Sequence, residues 1–457
     1  MLAPERPDPV AEPCHPSDPS TAAGRIAHLV RQAWGLTLPV RLRAWDGSEA
    51  GPVDVPYKLV LTSPQALRRL VWQPNELGAA RAYVAGEIQL EGLERDADLD
   101  RVLADPRLTD FADAARRTSR LTLTDRLRLI TGALQLHALG RPPRPPEEEA
   151  RLSGTPHSKR RDAAAIAHHY DVGNAFYRLL LGPSMVYSCG YWRSTPDGNY
   201  TVTDAQRDKL ALICGKLGLR PGQRLLDVGC GWGSLVMHAA EHHDVHAVGI
   251  TMSREQAELA RARVAEAGLA GKVEIRVQDY RDADDGPYDA IASVGMAEHL
   301  GAVNYPTYVA QLRRLLRPGG RLLHHQITTI RRPPRGVRRR HQFIDRYIFP
   351  DGELIGIGDV LTQLENGGLE VRDVESLREH YALTLRAWSA NLAADWDTAV
   401  ELTSPARARA WQLYLAGSAA SFATGRIGVH QVVAIAPLPG GGSGLPGRRA
   451  QWLPDLR

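Results

Sequence analysis

The sequence predicts an α/β protein with a doubly wound, mostly parallel sheet, preceded by a smaller α+β unit. Three observations carry this. Strand-like and helix-like segments alternate from about residue 224 to 330. A glycine-rich turn ends the first of those strands, where open parallel sheets bind ligands. A stretch of proline, then acid, then base separates this region from the N-terminal third.

The first 20 residues, "MLAPERPDPVAEPCHPSDPS", are proline-rich, and residues 1–23 read as a disordered N-terminus. A folded accessory unit is expected over 24–140. "GRIAHLVRQAWG" has helical spacing, while "LPVRLRAWDG" and "YKLVLTS" read as strands. "SPQALRRLVW" opens with Ser63 and Pro64, a helix start. In "LTLTDRLRLITGALQLHAL", Leu123, Leu127, Ile130 and Leu134 share one helical face. Residues 141–164 read as a linker, 165–436 as the larger catalytic unit and 437–457 as a flexible Gly/Pro tail.

In the larger unit, "QRLLDVG", "VHAVGIT", "VEIRVQD", "YDAIASVG" and "RLLHHQIT" are expected strands. Between them, "GSLVMHAAEHH", "SREQAELARARVAEAG" and "YVAQLRRLLRPGG" are expected helices. The second carries a capping pattern, Ser253 with Gln256, and the third ends in a glycine stop.

Composition narrows the function. The 457 residues are 43% hydrophobic and 24% charged, with net charge +4, an ordinary globular mixture. Nothing in this points to nucleic acid. The four cysteines, Cys14, Cys189, Cys214 and Cys230, form no CxxC pair, so neither a disulfide framework nor a zinc ribbon is expected. No apolar signal core opens the chain and no run of about 18 apolar residues crosses a bilayer, which reads as a cytoplasmic protein.

"LLDVGCGWG" places Asp227, Gly229, Gly231 and Gly233 in a D-x-G-x-G-x-G turn. Glycines there let a ligand approach the backbone. The spacing is not the dinucleotide fingerprint, and no Lys-Ser/Thr follows as in a P-loop. The acidic residue before the glycines repels a pyrophosphate but suits a cationic amino group, which points to S-adenosylmethionine. Thr251 or Gln256 can hydrogen-bond a ribose diol. Asp279 can meet the adenine amino group and Tyr280 can stack on the ring. "MVYSCGYW" sets Cys189 among aromatic residues, as nucleophile, metal ligand, disulfide half or packing.

"HHYDVGNAFYRLLLGPSMVYSCGYW", followed in order by "LLDVGCGWGSL", "GMAEHLG" and "LLHHQI", resembles the cyclopropane-fatty-acyl-phospholipid synthases. The mycolic acid cyclopropane synthases and methyltransferases are close relatives. The likeness spans roughly residues 165–435, and "SPQALRRLVWQPNELGAARAYVAGEIQLEG" is similar to the extra domain of the longer bacterial synthases. The resemblance implies a class I S-adenosylmethionine-dependent methyltransferase fold, Rossmann-like with seven strands, and an N-terminal lipid-binding-type domain. It implies methyl transfer to a cis double bond of a phospholipid acyl chain. By motif, Tyr187 and Ser188 line the cofactor pocket with the loop Asp227–Gly233, Thr251, Gln256 and Tyr280. A bicarbonate ion would be held by Cys189, Glu298, His325, Tyr381 and the Ile327 backbone. Cys189 then becomes a wall residue rather than a disulfide partner or metal ligand, and no metal is expected.

His324 and His325 are strand neighbours and face opposite ways, so only one can face the pocket, and the resemblance implies that it is His325. The family's common aromatic residue before the glutamate is Ala297 here, Ser418 stands where a cysteine often lies, and Leu93 replaces an Asp. The product, by the same resemblance, is a cyclopropane or, after a hydride shift, a methylene branch. "RRPPRGVRRR" (331–340) has six arginines that could meet anionic headgroups at about 1 kcal/mol per charge. The expected site of action is therefore the inner face of the membrane. The residues leave a homodimer open.

Overall fold

The computed structural model describes residues 14–15, 18–93, 98–117, 123–150, 154–155, 157–159, 161–162, 172–196, 198–330 and 342–453. The arginine run 331–340 and residues 163–171 lie outside them. The chain divides into two units, Met1–Glu148 and Glu149–Arg457.

The first unit builds a five-stranded sheet from β1 (Cys14–His15), β2 (Arg41–Arg43), β3 (Glu49–Pro52), β4 (Lys58–Leu61) and β5 (Ile88–Glu91), in the order β1-β3-β2-β4-β5. Its helices are α1 (Ala22–Trp34), α2 (Pro64–Trp72), α3 (Glu76–Val84), α4 (Leu99–Ala104), α5 (Pro106–Arg117) and α6 (Leu123–Gln135). Local chemistry sets the ends. Thr21 caps α1 by accepting from the Gly24 amide, Gly35 stops it in the left-handed region, and Ser63 caps α2 at Gln65. The expected disorder of residues 1–23 is corrected in part. Cys14–His15 pairs with Gly51–Pro52 and α1 starts at Ala22. A two-residue edge pairing needs only backbone groups, which composition does not report. On α6 the face predicted for Leu123, Leu127, Ile130 and Leu134 is not the one that faces the core: Ile130 and Leu134 are exposed, while Ala133 and Leu136 join the core with Ile26 and Leu42.

The second unit opens with α7 (Asn174–Leu181) and α8 (Val202–Leu217). Then come β6 (Arg224–Val228), α9 (Ser234–His243), β7 (His246–Thr251), α10 (Arg254–Glu266), β8 (Val273–Val277), β9 (Tyr288–Val294), α11 (Tyr305–Leu315) and β10 (Leu316–Thr329). It closes with α12 (Phe343–Tyr347), α13 (Ile357–Asn366), β11 (Glu370–Ser376), α14 (Arg378–Ala394), α15 (Trp396–Leu402), α16 (Pro405–Ala423) and β12 (Ile427–Ile435). The seven strands are ordered β11-β12-β10-β9-β6-β7-β8, and β12 runs against both its neighbours. The four contacts from β10 across to β8 are parallel.

Both faces are covered, as a parallel sheet requires. Ile213, Leu217, Val236 and Ala260 pack one side against Leu225 and Ile275. Tyr308, Leu312 and Leu364 pack the other against Leu226 and Ile291. Each such aliphatic side chain contributes about 1.5–3 kcal/mol on burial. The chain crosses from one side of β6 to the other between β8 and β9, so the crevice beyond β6 and β9 is the switch point where ligands bind.

Three boundaries differ from expectation. The linker is shorter, because Glu149 and Ala150 are already buried in the second unit and the Ala150 amide donates to Arg346 O at 2.7 Å. The helix before "RPGG" ends at Leu315, and those residues enter β10 rather than a glycine stop. The tail, expected to be flexible, is docked. Trp452 is 9% exposed, packs on the α8–α10 core with Leu445 and Leu453, and carries the Arg321 guanidinium 5.7 Å from its ring centroid. Arg449 pairs with Asp373 at 2.6 Å. One buried indole outweighs the local entropy of a glycine-rich segment. Trp452→Ala is therefore expected to lower unfolding stability by about 3 kcal/mol in urea titration; an unchanged midpoint would show that the tail does not dock.

Candidate active site

The crevice is built from the glycine loop outward. Gly229, Gly231 and Gly233 have φ of +86°, +54° and +82°. The amides of Gly229 and Cys230 donate to Ile250 O at 2.9 and 3.0 Å, which locks the loop onto β7. A Cβ on Gly229 would stand 2.9 Å from that of Met296. Glycine is required there on both counts. The crevice wall includes Tyr187, Ser188, Lys209, Asp227, Thr251, Gln256 and Tyr280.

Asp227 is 3% exposed and its Oδ1 is enclosed without a partner. Burial pushes its carboxyl up to about 7, against the pull of Lys209. A buried carboxylate with one oxygen unused at a ligand crevice fits the amino group of S-adenosylmethionine. Thr251 donates to Gln256 Oε1 at 2.8 Å, so the two form one buried unit in the wall. Tyr280 lines the crevice too, its hydroxyl unpartnered and its ring under Arg281. Asp279 does not take the expected place. It caps the short helical turn Tyr280–Asp282, and Arg281 grips both its oxygens at 2.9 and 2.6 Å. Its neighbours Gln278 and Tyr280 reach the crevice instead.

Lys209 was not singled out in the sequence. It is 2% exposed, and its Nζ donates to Ser188 Oγ at 2.9 Å. Gln206, one turn earlier, donates to Ser188 O at 2.8 Å. Together they hold the 186–188 wall in place. Burial lowers the Lys209 amine to about 8, opposed by Cys189 and Asp227. The signal was legible: Lys209 falls at helical spacing with buried Ala205, Leu212 and Ile213, a cation inside an apolar stripe.

The remaining expected residues are linked by a series of contacts through β10, β12 and the start of α14. Glu298 Oε1 accepts from the Ile327 amide at 2.7 Å, while Oε2 is enclosed and unpartnered. The Ile327 amide, expected to face an ion, is thus given to Glu298. Burial raises the Glu298 carboxyl to about 7, against that hydrogen bond. Ile327 pairs with Val429, Val429 O accepts from Leu377 N at 2.9 Å, and Leu377 O receives both Tyr381 N and the Cys189 thiol. Cys189 is fully buried and burial pushes its thiol well up, so it is no nucleophile. His325, two residues before Ile327, is 2% exposed with neither ring nitrogen partnered, and burial keeps the ring neutral. Its neighbour His324 turns the other way, bonded to Tyr305, Tyr308 and Gln326.

Aromatic rings surround this region. Tyr187 lies 5.4 Å from Trp388 and 6.1 Å from Trp411 by centroids, and its hydroxyl donates to Tyr414 at 3.0 Å. Tyr177 lies 4.9 Å from Trp232, and Tyr381 4.6 Å from Phe422. These rings come from α7, the glycine loop, α14 and α16, too far apart in sequence to be read as one wall. Faces of this kind favour a cation in a dry site.

Sheet order, glycine loop and acidic strand end define a class I S-adenosylmethionine-dependent methyltransferase. Residues 157–432 match the family model described as mycolic acid cyclopropane synthetase, and the chain belongs to this cyclopropane synthase family. It is 42% identical over 422 residues to a Mycobacterium tuberculosis protein named "Probable fatty acid methyltransferase", covering 91% of this chain and 95% of the relative. It is 34% identical over 420 residues to the tuberculostearic acid methyltransferase of the same organism, covering 90% and 91%. The crystal structure of mycolic acid cyclopropane synthase complexed with SAH and CTAB superposes with a TM-score of 0.56 at 36% identity, over 60% of this chain and 98% of that one.

Two variants test the crevice. Gly229→Ala is expected to weaken S-adenosylhomocysteine binding by at least about tenfold in calorimetry, since strain and the Met296 clash exceed about 1.4 kcal/mol. Unchanged affinity would place the ligand elsewhere. Lys209→Met is expected to weaken the same binding about tenfold, the range of one charge-assisted hydrogen bond. Stability should not fall with it. A lysine whose folded pKa is lowered from 10.5 to about 8 loses stability as pH falls between those values, so at pH 7 the cost is fully present and the methionine removes it. A lower melting temperature with intact binding would make Lys209 merely structural.

Proposed function

We propose that the protein transfers a methyl group from S-adenosylmethionine to the cis double bond of a phospholipid-bound fatty acyl chain and that the product is a cyclopropane. The observation that carries this is that Glu298, bonded to the Ile327 amide two residues along β10 from His325, and His325 itself both keep enclosed polar atoms without a partner among the described residues. S-adenosylmethionine supplies an electrophilic methyl group when bound. The alkene π pair would form the new C–C bond to that methyl, and the S–CH3 electron pair would remain on sulfur. The neighbouring carbon is then a cation. The aromatic wall excludes water and faces that charge. A proton leaves the added methyl toward the Glu298–His325 end, and its C–H pair closes the ring.

Glu298 and His325, with the Tyr381 phenol and the wall around Cys189, would hold a bicarbonate ion, which offers a compact base. Glu298 Oε2 would accept the ion's proton and His325 would donate to its oxygen, consistent with their unused atoms. Among the described residues no helix is long and apolar enough to cross a membrane. On this reading the protein works from the cytoplasm, at the inner membrane face where acyl chains lie. A second reading, a methylene branch, is favoured by the full-length match to the tuberculostearic acid methyltransferase.

Expression in a host rich in cis-unsaturated phospholipids is expected to shift a fatty acid by about 14 mass units, one CH2. No shift would refute the acyl reading, and cleavage by ozone would identify a methylene rather than a ring. Glu298→Gln is expected to lower turnover by at least about 100-fold while cofactor still binds. In the unchanged protein, Glu298 must be ionised to accept a proton, so turnover should rise as pH passes through about 7. Retention of that limb in the variant would remove Glu298 from the role.

A further inference from the structure

We propose that Cys214, His238 and His243 form a binding site for one divalent transition-metal ion of the zinc type. The site lies outside the cofactor crevice, between α8, which carries Cys214, and α9, which carries both histidines. One ligand atom from each residue lies within 4.8 Å of the others. Tetrahedral zinc with bonds of about 2.0–2.3 Å needs donors roughly 3.5 Å apart, so rotations of about 1 Å close the set. Among the described residues no other cluster of three such side chains converges in this way.

The chemistry of the trio favours such an ion. Thiolate and imidazole together select zinc-like metals over magnesium or calcium. The cluster includes no carboxylate. Cys214 is fully buried and the two histidines are half-buried. The two ligand histidines lie five residues apart on α9, His243 in its last turn. Neutral imidazole is the form that binds metal. The His242 ring centroid is 4.4 Å from that of His238, and water can fill the fourth position. On binding, the thiol gives its proton to solvent.

The ion would act as a clasp. α9 begins at the glycine loop, and α8 holds Ser188 through Lys209 and Gln206. A metal bridging the two helices ties together two walls of the crevice without touching the cofactor.

The test is titration of tag-free, full-length protein with cobalt(II), followed by optical absorption. One equivalent is expected to bind, with the intense bands of a tetrahedral site and a thiolate charge-transfer band. Cys214→Ser should abolish the charge-transfer band. Because that variant is buried and can misfold, His243→Asn, at the half-exposed end of α9, is the second arm. It should weaken binding by more than about 100-fold, beyond what loss of an outer-shell partner costs. Zinc should raise the melting temperature of the unchanged protein but not of His243→Asn. Absence of stoichiometric binding, or binding that survives His243→Asn with unchanged affinity, would overturn the proposal.

Discussion

The site depends on one constraint: charged groups are enclosed at the carboxyl ends of the strands with fewer partners than they can use. Among the described residues, Asp227, Glu298 and His325 each keep an unused polar atom, and Lys209 is bonded to Ser188 alone. In isolation each such burial is unfavourable. It persists because the two apolar layers around the sheet hold the backbone whether or not those atoms are satisfied. The unused atoms then serve a ligand rather than the fold.

Strand parity shows how the fold assigns roles. His324 and His325 are adjacent and chemically identical, yet the pleat sends them to opposite faces. His324 meets Tyr305, Tyr308 and Gln326 and is fully satisfied, a structural histidine. His325 meets no hydrogen-bonding partner among the described residues. The parallel register with β9 and the antiparallel register with β12 fix this parity from both sides, so a slip of one residue would exchange the two.

The wall opposite the loop is a different construction. Tyr177, Tyr187, Trp388 and Trp411 form a chain of ring contacts but come from three distant parts of the sequence, residues 177–187, α14 and α16. Their value lies in being apolar and polarisable at once, keeping water out while tolerating positive charge. Met296 against Gly229 joins the two halves, since the loop after β9 reaches over the loop after β6.

Much of this was legible in the chain itself, because short-range rules act there. Strand–helix alternation specified the doubly wound sheet, the glycine turn marked its ligand end, and Ser63 and Ser253 fixed helix starts through side-chain caps. Ordered motifs led to Glu298, His325 and Tyr381. Folding alone decided which polar atoms are left over, because satisfaction depends on neighbours hundreds of residues away. Asp279 was lost to Arg281 by a local turn, Lys209 was recruited through Ser188, and Trp452 docked a tail that looked loose. Composition and spacing encode periodicity and caps; they do not encode which of several plausible partners arrives first in three dimensions.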